Sequence, residues 1–192
     1  MGNVSSVFGG SVKVNAMMIG LDNSGKSTIV SYLKPTDTEK NVTYINPTVG
    51  FQLETFRKFG HSWNLWDMSG MGRYRHMWPH YYQYVQGIIF VVDATDKPRV
   101  SVAKDELSKV LEHPDVARSK CPVLILYNKS DMMEKKMSST QISKILHLSN
   151  TSKLNNPVQT FECTALKGGG IDEGFRWLLE AIRVKHDADA NK

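Results

Sequence analysis

The sequence lacks any apolar run long enough to cross a membrane. A spanning helix needs about 18 consecutive apolar residues, whereas the longest run, residues 87–92, has only the length of a strand. Cysteine is also scarce: only Cys121 and Cys163 are present, and two isolated thiols are more typical of a reducing cytosol than of a disulfide framework. These absences predict a cytoplasmic protein that is either soluble or attached to a membrane at its surface.

The sequence also lacks the features of a protein that binds nucleic acid. Its net charge of +5 is mild and spread along the chain, with no dense block of lysine and arginine and no zinc-ligand spacing. We therefore expect no nucleic-acid partner. The length of 192 residues and the hydrophobic content of 41% suit a single domain with one core.

A phosphate-binding pattern, G-x-x-x-x-G-K-[ST], occupies the stretch Gly20–Thr28. It lies between the strand-like run 12–19 and the helix-like run 29–33, which is the context that this motif requires. Backbone N–H groups of such a loop point at phosphate oxygens, and the helix N-terminus adds partial positive charge. Lys26 is predicted to reach the β- and γ-phosphates and Ser27 to ligate magnesium. The other loop residues predicted to bind nucleotide are Gly20, Asp22, Asn23, Ser24, Gly25 and Thr28. The alternative is a glycine-rich turn that binds nothing.

A second motif, N-K-x-D, follows an apolar strand-like run and predicts which base is bound. The carboxylate of Asp131 can accept both guanine N1–H and N2–H₂, which adenine lacks. Asn128 is predicted to brace the site and the stem of Lys129 to lie along the base. A turn further along the chain is predicted to offer a backbone N–H to guanine O6; it consists of Cys163, Thr164 and Ala165. The alternatives are a polar turn without a ligand and an ATP-dependent small-molecule kinase, which this motif disfavours.

Two further segments have the composition of a nucleotide-dependent switch. Thr48 lies in a polar loop before a strand, so its hydroxyl is predicted to ligate magnesium when a γ-phosphate is present. Asp67, at the end of another strand, is predicted to hold a magnesium-bound water, and the Gly70 N–H to sense the γ-phosphate. Loops that are ordered by a γ-phosphate and released on its loss form a known switching device.

Strand-like and helix-like patterns alternate through the chain. Residues 50–56 and 62–66 predict an antiparallel hairpin, and the remaining apolar runs alternate with helical patterns. This order predicts an α/β fold of the P-loop NTPase type: a mostly parallel six-stranded sheet with one antiparallel edge strand and helices on both faces. Residues 68–83 predict a mobile loop that runs into an irregular helix.

Taken together, the motifs resemble those of the Arf/Arf-like family of small GTPases over essentially the whole chain. The matching segments, in order, are Gly20–Ser27, Pro47–Phe51, Trp66–Gly70 and Asn128–Asp131. The stretch 67–82 is most similar to the branch that recruits the BBSome coat. The resemblance implies GTP or GDP with Mg²⁺ as cofactors, an exchange factor and an activating protein as regulators, and a coat or cargo adaptor as effector. The predicted boundaries are an N-terminal arm over 1–14, a GTPase domain over 15–185 and a disordered tail over 186–192.

The resemblance also implies a membrane-touching arm and an effector surface. The first residues fit the myristoylation pattern M-G-x-x-x-[ST], which makes Gly2 a candidate for acylation, although a frayed terminus is the alternative. GTP loading would remodel both switches and the hairpin between them and expel the arm onto a membrane. Phe51, Trp66 and Tyr81 match an aromatic triad that relatives present to effectors; the alternative is ordinary packing. The implied location is the cytoplasm with reversible membrane association, at a cilium or basal body.

One residue departs from the family pattern. Where relatives have the glutamine that orients the attacking water, this chain has Met71, whose thioether is a weak acceptor and no donor. Met71, Gly70 and Thr48 surround the predicted reaction site, and we expect very low intrinsic turnover. The rival interpretation is therefore a binding module that holds GTP almost permanently. A further alternative is that hydrolysis uses another group, near His76 or His80.

Overall fold

The structure, a computed structural model, describes residues 13–34, 46–148, 151 and 154–190. Residues 1–12 of the predicted arm, with Gly2, lie outside the described residues, as do residues 35–45, 149–150, 152–153 and 191–192. Within the described part, no helix combines the length and the apolar character that a membrane span requires.

A six-stranded sheet forms the centre of the fold. The strands are β1 (Lys13–Gly20), β2 (Phe51–Lys58), β3 (His61–Met68), β4 (Gly87–Asp93), β5 (Val123–Asn128) and β6 (Val158–Glu162). Their order in the sheet is β2-β3-β1-β4-β5-β6. Only β2 pairs antiparallel, with β3, and it lies at one edge; the other neighbours pair parallel. The predicted fold class is confirmed.

Helices cover both faces of this sheet. They are α1 (Lys26–Leu33), α2 (Val100–Glu112), α3 (Pro114–Ser119), α4 (Ser139–Ile145) and α5 (Ile171–Ala190), with 3₁₀ segments at Gly72–Tyr84 and Lys97–Arg99. Alternate residues of the central strands face opposite ways, so Met17 packs with α2, α3 and α4 on one face while Met18 packs with α1 and α5 on the other. Parallel strands that are buried on both faces read as continuous apolar runs, which is the pattern of β4 and β5.

Three helical features differ from the sequence prediction. The prediction of a disordered tail from residue 186 is wrong over residues 186–190, because α5 continues to Ala190. That segment has two alanines and neither glycine nor proline, so nothing in it stops the helix. The short helix α3 was not predicted; its signals are Pro114 in the first turn and the His113 side chain, which accepts from Asp115 N. Helix α4 is shorter than the helix that the pattern of residues 138–148 predicts, and it begins after a capping box at Ser138.

The irregular helix predicted within residues 68–83 is present as a 3₁₀ helix over Gly72–Tyr84. Pro79 lies inside it, and proline removes a backbone donor that an α-helix needs. Two buried side chains, Trp78 and Tyr82, nevertheless anchor the segment to the core. The indole of Trp78 also donates to Ser69 O at 3.1 Å, which ties this helix to the end of β3.

The boundary predicted between the N-terminal arm and the GTPase domain falls inside β1. This strand begins at Lys13, two residues before the predicted start of the domain at residue 15.

Candidate nucleotide-binding site

The predicted phosphate loop joins the end of β1 to the start of α1. Gly25 precedes the helix with φ of 96°, a left-handed conformation that favours glycine. A Cβ atom on Gly25 would stand 2.1 Å from Nδ2 of Asn128, so the loop and the N-K-x-D segment touch at this point. At the other end of the loop, a Cβ on Gly20 would stand 2.2 Å from Val91 O. Both glycines of the motif are therefore required by close approach.

Lys26 lies enclosed within this loop. Its Nζ donates to Leu21 O at 2.8 Å and to Gly20 O at 3.1 Å, and only 6% of the residue is exposed. Burial lowers the pKa of the Lys26 ammonium to about 8, and the nearby Asp67 opposes this only in part. An anion beside the ammonium would favour its charged form. The site thus offers a desolvated cation to an anionic ligand.

Three oxygen-bearing side chains from three separate elements meet beside the loop. Ser27 Oγ donates to Asp67 Oδ2 at 2.5 Å and lies 3.1 Å from Thr48 Oγ1, which is itself 3.5 Å from Asp67 Oδ2. Burial raises the pKa of the Asp67 carboxyl, and the hydrogen bond from Ser27 offsets this only partly. Hydroxyl and carboxylate oxygens are the ligands that magnesium prefers, directly or through water. The donor set therefore fits the predicted cation.

Several buried polar atoms at this place have no partner within the described part of the chain. They are Ser24 Oγ, Asp67 Oδ1 and Ser69 Oγ, all in residues that are at most 3% exposed. Native proteins leave few such groups, because an unpaired buried polar atom costs about 1–3 kcal/mol. A bound phosphate, cation or water would satisfy them. Their concentration at one place indicates a site that a ligand completes.

A pocket of about 250 Å³ opens between the phosphate loop and the two predicted switches. Its lining residues are Asp22, Asn23, Gly25, Lys26, Ser27, Thr28, Asn46, Pro47, Thr48, Ser69, Gly70 and Met71. The structure thus brings together the predicted residues of the phosphate loop, of the Thr48 loop and of the segment after β3.

Gly70 and Met71 line the same pocket. Gly70 O accepts from Asp22 N at 3.2 Å and from Arg75 Nε at 2.7 Å. A Cβ on Gly70 would stand 2.3–2.4 Å from loop backbone atoms, so only glycine fits there. The sulfur of Met71 lies 3.8 Å from Arg73 Nη2. No amide side chain occupies the predicted water-orienting position.

The base half of the site is held by Asn128. Its Nδ2 donates to Ser24 O at 2.8 Å, and its Oδ1 accepts from Ala165 N at 2.9 Å. This buried side chain therefore joins the phosphate loop to the turn at 163–165. Lys129, with φ of 64°, places its Nζ 2.6 Å from Asp93 Oδ2, while Asp131 at the surface lies 3.6 Å from Lys167 Nζ.

The turn at 163–165 differs from the prediction in one respect. The N–H of Cys163 donates to Tyr127 O at 2.8 Å, that of Thr164 to Gly169 O at 3.0 Å and that of Ala165 to Asn128. All three donors are engaged in this structure. A hydrogen bond from this turn to guanine O6 therefore requires a shared donor or a change in the turn, and stays a prediction.

Two functional-site residues escaped the sequence analysis. Asp93 ends β4 and binds Lys129, and Arg99 reaches the carboxylate of Asp22 with two hydrogen bonds of 3.0 Å. Both lie at or after the carboxyl end of a parallel strand, where sites in such sheets form. That position was the available signal, since neither residue belongs to a motif.

The three aromatic residues predicted to contact an effector are also brought together. The ring centroids of Phe51 and Tyr81 are 5.2 Å apart, and those of Trp66 and Tyr81 are 6.5 Å apart. Trp66 and Tyr81 are half-buried, whereas Phe51 is exposed, as are Val49 and Leu53. The triad thus adjoins exposed apolar residues at the start of the edge strand β2 and just before it.

Comparison with known proteins agrees with this geometry. The profile of the ADP-ribosylation factor family matches residues 2–182. The chain is 43% identical over 172 residues to ADP-ribosylation factor-like protein 6 of Danio rerio, covering 90% of each protein. It is 38% identical over 185 residues to the protein of the same name from Caenorhabditis elegans, covering 94% of this chain and 93% of that one.

A solved structure gives the same result. The Arl6 BBS3 small GTPase from Trypanosoma brucei, determined with the nucleotide analogue GppNp, has a TM-score of 0.81 and 35% identity to this chain. The match covers 91% of this chain and 99% of that one. These findings confirm the family that the motifs indicated: the chain belongs to the ADP-ribosylation factor family and is an Arf-like small GTPase.

Proposed function

We propose that this protein is a guanine-nucleotide-dependent switch that recruits a coat or cargo adaptor to membranes. The observation on which the proposal depends is the convergence of Ser27, Thr48 and Asp67 beside a buried lysine. The three residues come from three separate segments of the chain: the phosphate loop, the loop before β2 and the end of β3. A ligand that binds all three therefore orders separate segments at once. This is the geometry that a phosphate-sensing switch needs.

Each residue of the phosphate site has a distinct part in the proposal. Lys26 would release its two carbonyl partners and pair with phosphate oxygens, and Ser27 and Thr48 would supply hydroxyl ligands to Mg²⁺, with Asp67 holding a coordinated water. Bound Mg²⁺ would neutralise charge on the β- and γ-phosphates. The Gly70 N–H would report on the γ-phosphate, because Gly70 already lies against the phosphate loop.

A competition titration tests the nucleotide part of the proposal. Protein stripped of nucleotide is titrated with fluorescent GDP or GTP in magnesium, and unlabelled GTP, GDP, ATP and xanthosine triphosphate then compete. We expect both guanine nucleotides to compete and ATP to fail, and chelation of magnesium to weaken GTP binding. Equal competition by ATP and GTP would contradict the assignment of the base.

The effector part of the proposal concerns the surface formed by Phe51, Trp66 and Tyr81. Exposed apolar residues on an edge strand are normally avoided because they promote pairing with other chains, which makes Val49 and Leu53 candidates for a binding surface. Thr48 lies just before β2, and Gln52 of β2 pairs with Asp67 of β3, so a change at the γ-phosphate would reach this surface through the hairpin. The likeness to ADP-ribosylation factor-like protein 6 and to a BBS3 structure favours the BBSome as the coat and a cilium or basal body as the location.

Membrane attachment is proposed for the N-terminal arm, with Gly2 as the acylated residue. A single myristoyl chain binds membranes only marginally, so the apolar residues of the arm would supply the remaining affinity. We expect Gly2→Ala to lower co-sedimentation of GTP-loaded protein with liposomes when the protein is made in myristoylating cells. Equal co-sedimentation of mutant and parent would contradict the acyl anchor and leave nucleotide binding untouched.

A second candidate function is a module that keeps GTP bound and signals by its presence alone. It is favoured by Met71, which lines the phosphate pocket without an amide. An exchange factor would still load such a protein, but an activating protein would have little effect on it. Single-turnover hydrolysis with and without an activating protein separates this candidate from a cycling switch.

A further inference from the structure

A cluster of charged side chains joins one residue of the phosphate loop to arginines that belong to none of the motifs. At its centre is Asp22, whose carboxylate accepts two hydrogen bonds of 3.0 Å from Arg99 Nη1, one at each oxygen. Arg99 Nη2 also donates to Asp22 O at 3.3 Å, and its Nε donates to Asp96 Oδ2 at 2.6 Å. A second arginine, Arg75, lies 3.5 Å from Asp22 Oδ1. Arg99 is 77 residues from Asp22 in sequence, so the contact is a product of the fold.

Asp22 lies at the edge of the phosphate pocket, and its carboxylate is held by the two arginines. It is one of the residues that line the pocket, together with Lys26 and Gly70. A carboxylate at this place repels phosphate, and it repels a triphosphate more than a diphosphate because the extra charge of the γ-phosphate lies on the Gly70 side. Partial burial opposes ionisation of Asp22, yet the hydrogen bond and charge of Arg99 outweigh it, and the pKa of the carboxyl lies below its ordinary value.

The Asp22 carboxylate also has a structural role. By pairing with Arg75 it helps to fix a side chain whose Nε donates to Gly70 O at 2.7 Å and whose Nη1 lies 3.7 Å from Glu106 Oε1. Asp22 therefore connects the phosphate loop to the segment that would sense the γ-phosphate. Asp22 thus holds a negative charge beside the phosphate pocket while it pairs with Arg75, and Arg99 supplies a second cation next to that charge.

We propose that Arg99 is a specificity-determining residue that neutralises Asp22 and thereby lets the pocket accept a triphosphate as readily as a diphosphate. The inference rests on the proposed binding of guanine nucleotides. Arg99 does not have to touch the nucleotide: it acts through Asp22, as a positioning and charge-balancing residue. Removal of Arg99 is expected to change the ratio of GTP affinity to GDP affinity about five- to tenfold. This is the size of effect expected from a unit charge several ångströms from a phosphate near a protein surface.

The test is a double-mutant cycle on the ratio of GTP to GDP affinity. Full-length parent, Arg99→Ala, Asp22→Asn and the double variant are titrated with fluorescent GDP and with a non-hydrolysable fluorescent GTP analogue, in magnesium, at low and high salt. Arg99→Ala should lower the GTP-to-GDP affinity ratio about five- to tenfold, and the double variant should restore it to within about twofold. The loss should shrink at high salt, because screening weakens the unbalanced charge. Arg183→Ala, which breaks an arginine–glutamate pair on α5, is the matched control.

The possible outcomes are distinguishable. If Arg99→Ala weakens both nucleotides equally and the double variant does not recover, Arg99 has only a structural role and the inference is wrong. If the parent binds neither guanine nucleotide, the proposed function itself fails. Should Arg99→Ala not fold, Arg99→Lys keeps the charge without the paired hydrogen bonds, and a ratio within about twofold of the parent supports charge balance. A tenfold loss in Arg99→Lys would instead contradict it.

Discussion

The base half of the nucleotide site and its γ-phosphate half are built in different ways. In the base half, Asn128 donates to one loop and accepts from another, and Lys129 is paired with a carboxylate at 2.6 Å. In the γ-phosphate half, Asp67 Oδ1 and Ser69 Oγ are buried without partners in the described part of the chain. In the base half, Asn128 and Lys129 are therefore paired without a ligand, although Thr164 Oγ1 in the neighbouring turn is also buried without a partner in the described part of the chain, whereas in the γ-phosphate half the carboxylate of Asp67 and the hydroxyl of Ser69 both keep bonds for a ligand to make.

This difference has a functional consequence. A ligand shifts a conformational equilibrium only by the difference in its affinity for the two states. The base contacts are the same for GDP and GTP and are braced in advance, so they set affinity without reporting nucleotide state. The γ-phosphate half, joined to the proposed effector surface through β2 and β3, is where the two nucleotides can have different effects.

The largest loss of nucleotide affinity is expected from a change at Lys26, because this residue is predicted to contact both the β- and the γ-phosphate. Removing a charged donor from two phosphate oxygens costs about 1.5–3 kcal/mol for each hydrogen bond. We expect Lys26→Ala to lower GTP affinity by about a hundredfold or more, measured by fluorescent nucleotide titration. Lys144→Ala, an exposed lysine on α4, is the control and should bind like the parent. A loss smaller than about threefold would mean that Lys26 does not contact phosphate.

Breaking the base half alone should change which base is bound and leave the phosphate half intact. In Asp131→Asn the amide can still accept guanine N1–H but no longer accepts from N2–H₂, and it can donate to the carbonyl that xanthine has in place of that amino group. We expect a loss of about tenfold to a hundredfold in GDP affinity and a comparable gain for xanthosine diphosphate. Competition titration with both nucleotides measures the two changes. Asp105→Asn, at an exposed position of α2, should alter neither affinity.

The contact between the halves can be broken at Gly25. An alanine Cβ would meet Asn128 Nδ2 at 2.1 Å and would hold a left-handed φ, which costs about 1–2 kcal/mol. We expect Gly25→Ala to weaken GDP and GTP by a similar factor of about ten to thirty, because both halves shift together. Gly72→Ala is the matched control, since a Cβ there meets nothing within 4 Å. A selective loss of GTP alone would show that the two halves are not coupled at this glycine.

Much of this comparison could be anticipated from the sequence. The alternation of apolar runs predicted the sheet and its antiparallel edge, and the motif spacing predicted which loops meet, because parallel strands place their carboxyl ends at one edge. The contacts of Asp93 and Arg99 could not be predicted. They join residues 36 and 77 positions apart, and an arginine–carboxylate pair leaves no periodic pattern. The helical tail could not be predicted from polarity, because polar residues without glycine or proline, such as residues 186–190, extend a helix as readily as they form a disordered tail.

The smallest expected effect concerns Met71, and it sharpens the comparison because it touches the γ-phosphate half alone. Met71 lines the pocket next to Gly70, and its sulfur lies 3.8 Å from Arg73 Nη2. Arg75 is engaged with Gly70 O and Asp22, and an arginine stabilises charge without accepting a proton from water. A glutamine at this position would supply the amide that orients the attacking water. We expect Met71→Gln to raise single-turnover GTP hydrolysis about tenfold, equivalent to about 1.4 kcal/mol of barrier, and more with an activating protein.

The informative design compares four conditions: parent and Met71→Gln, each with and without the activating protein. GDP affinity should be unchanged in both proteins, because the base half and the diphosphate contacts do not include this side chain. Met71→Leu is the matched control, since it keeps the apolar volume and offers no amide. If Met71→Gln and Met71→Leu hydrolyse GTP at the parent's rate in both conditions, the position does not control hydrolysis, and a group elsewhere, such as His76 or His80, must orient the water. If only Met71→Gln hydrolyses GTP faster than the parent, the methionine itself prolongs the GTP-bound state. The lifetime of that state is then set by partner proteins and not by intrinsic hydrolysis.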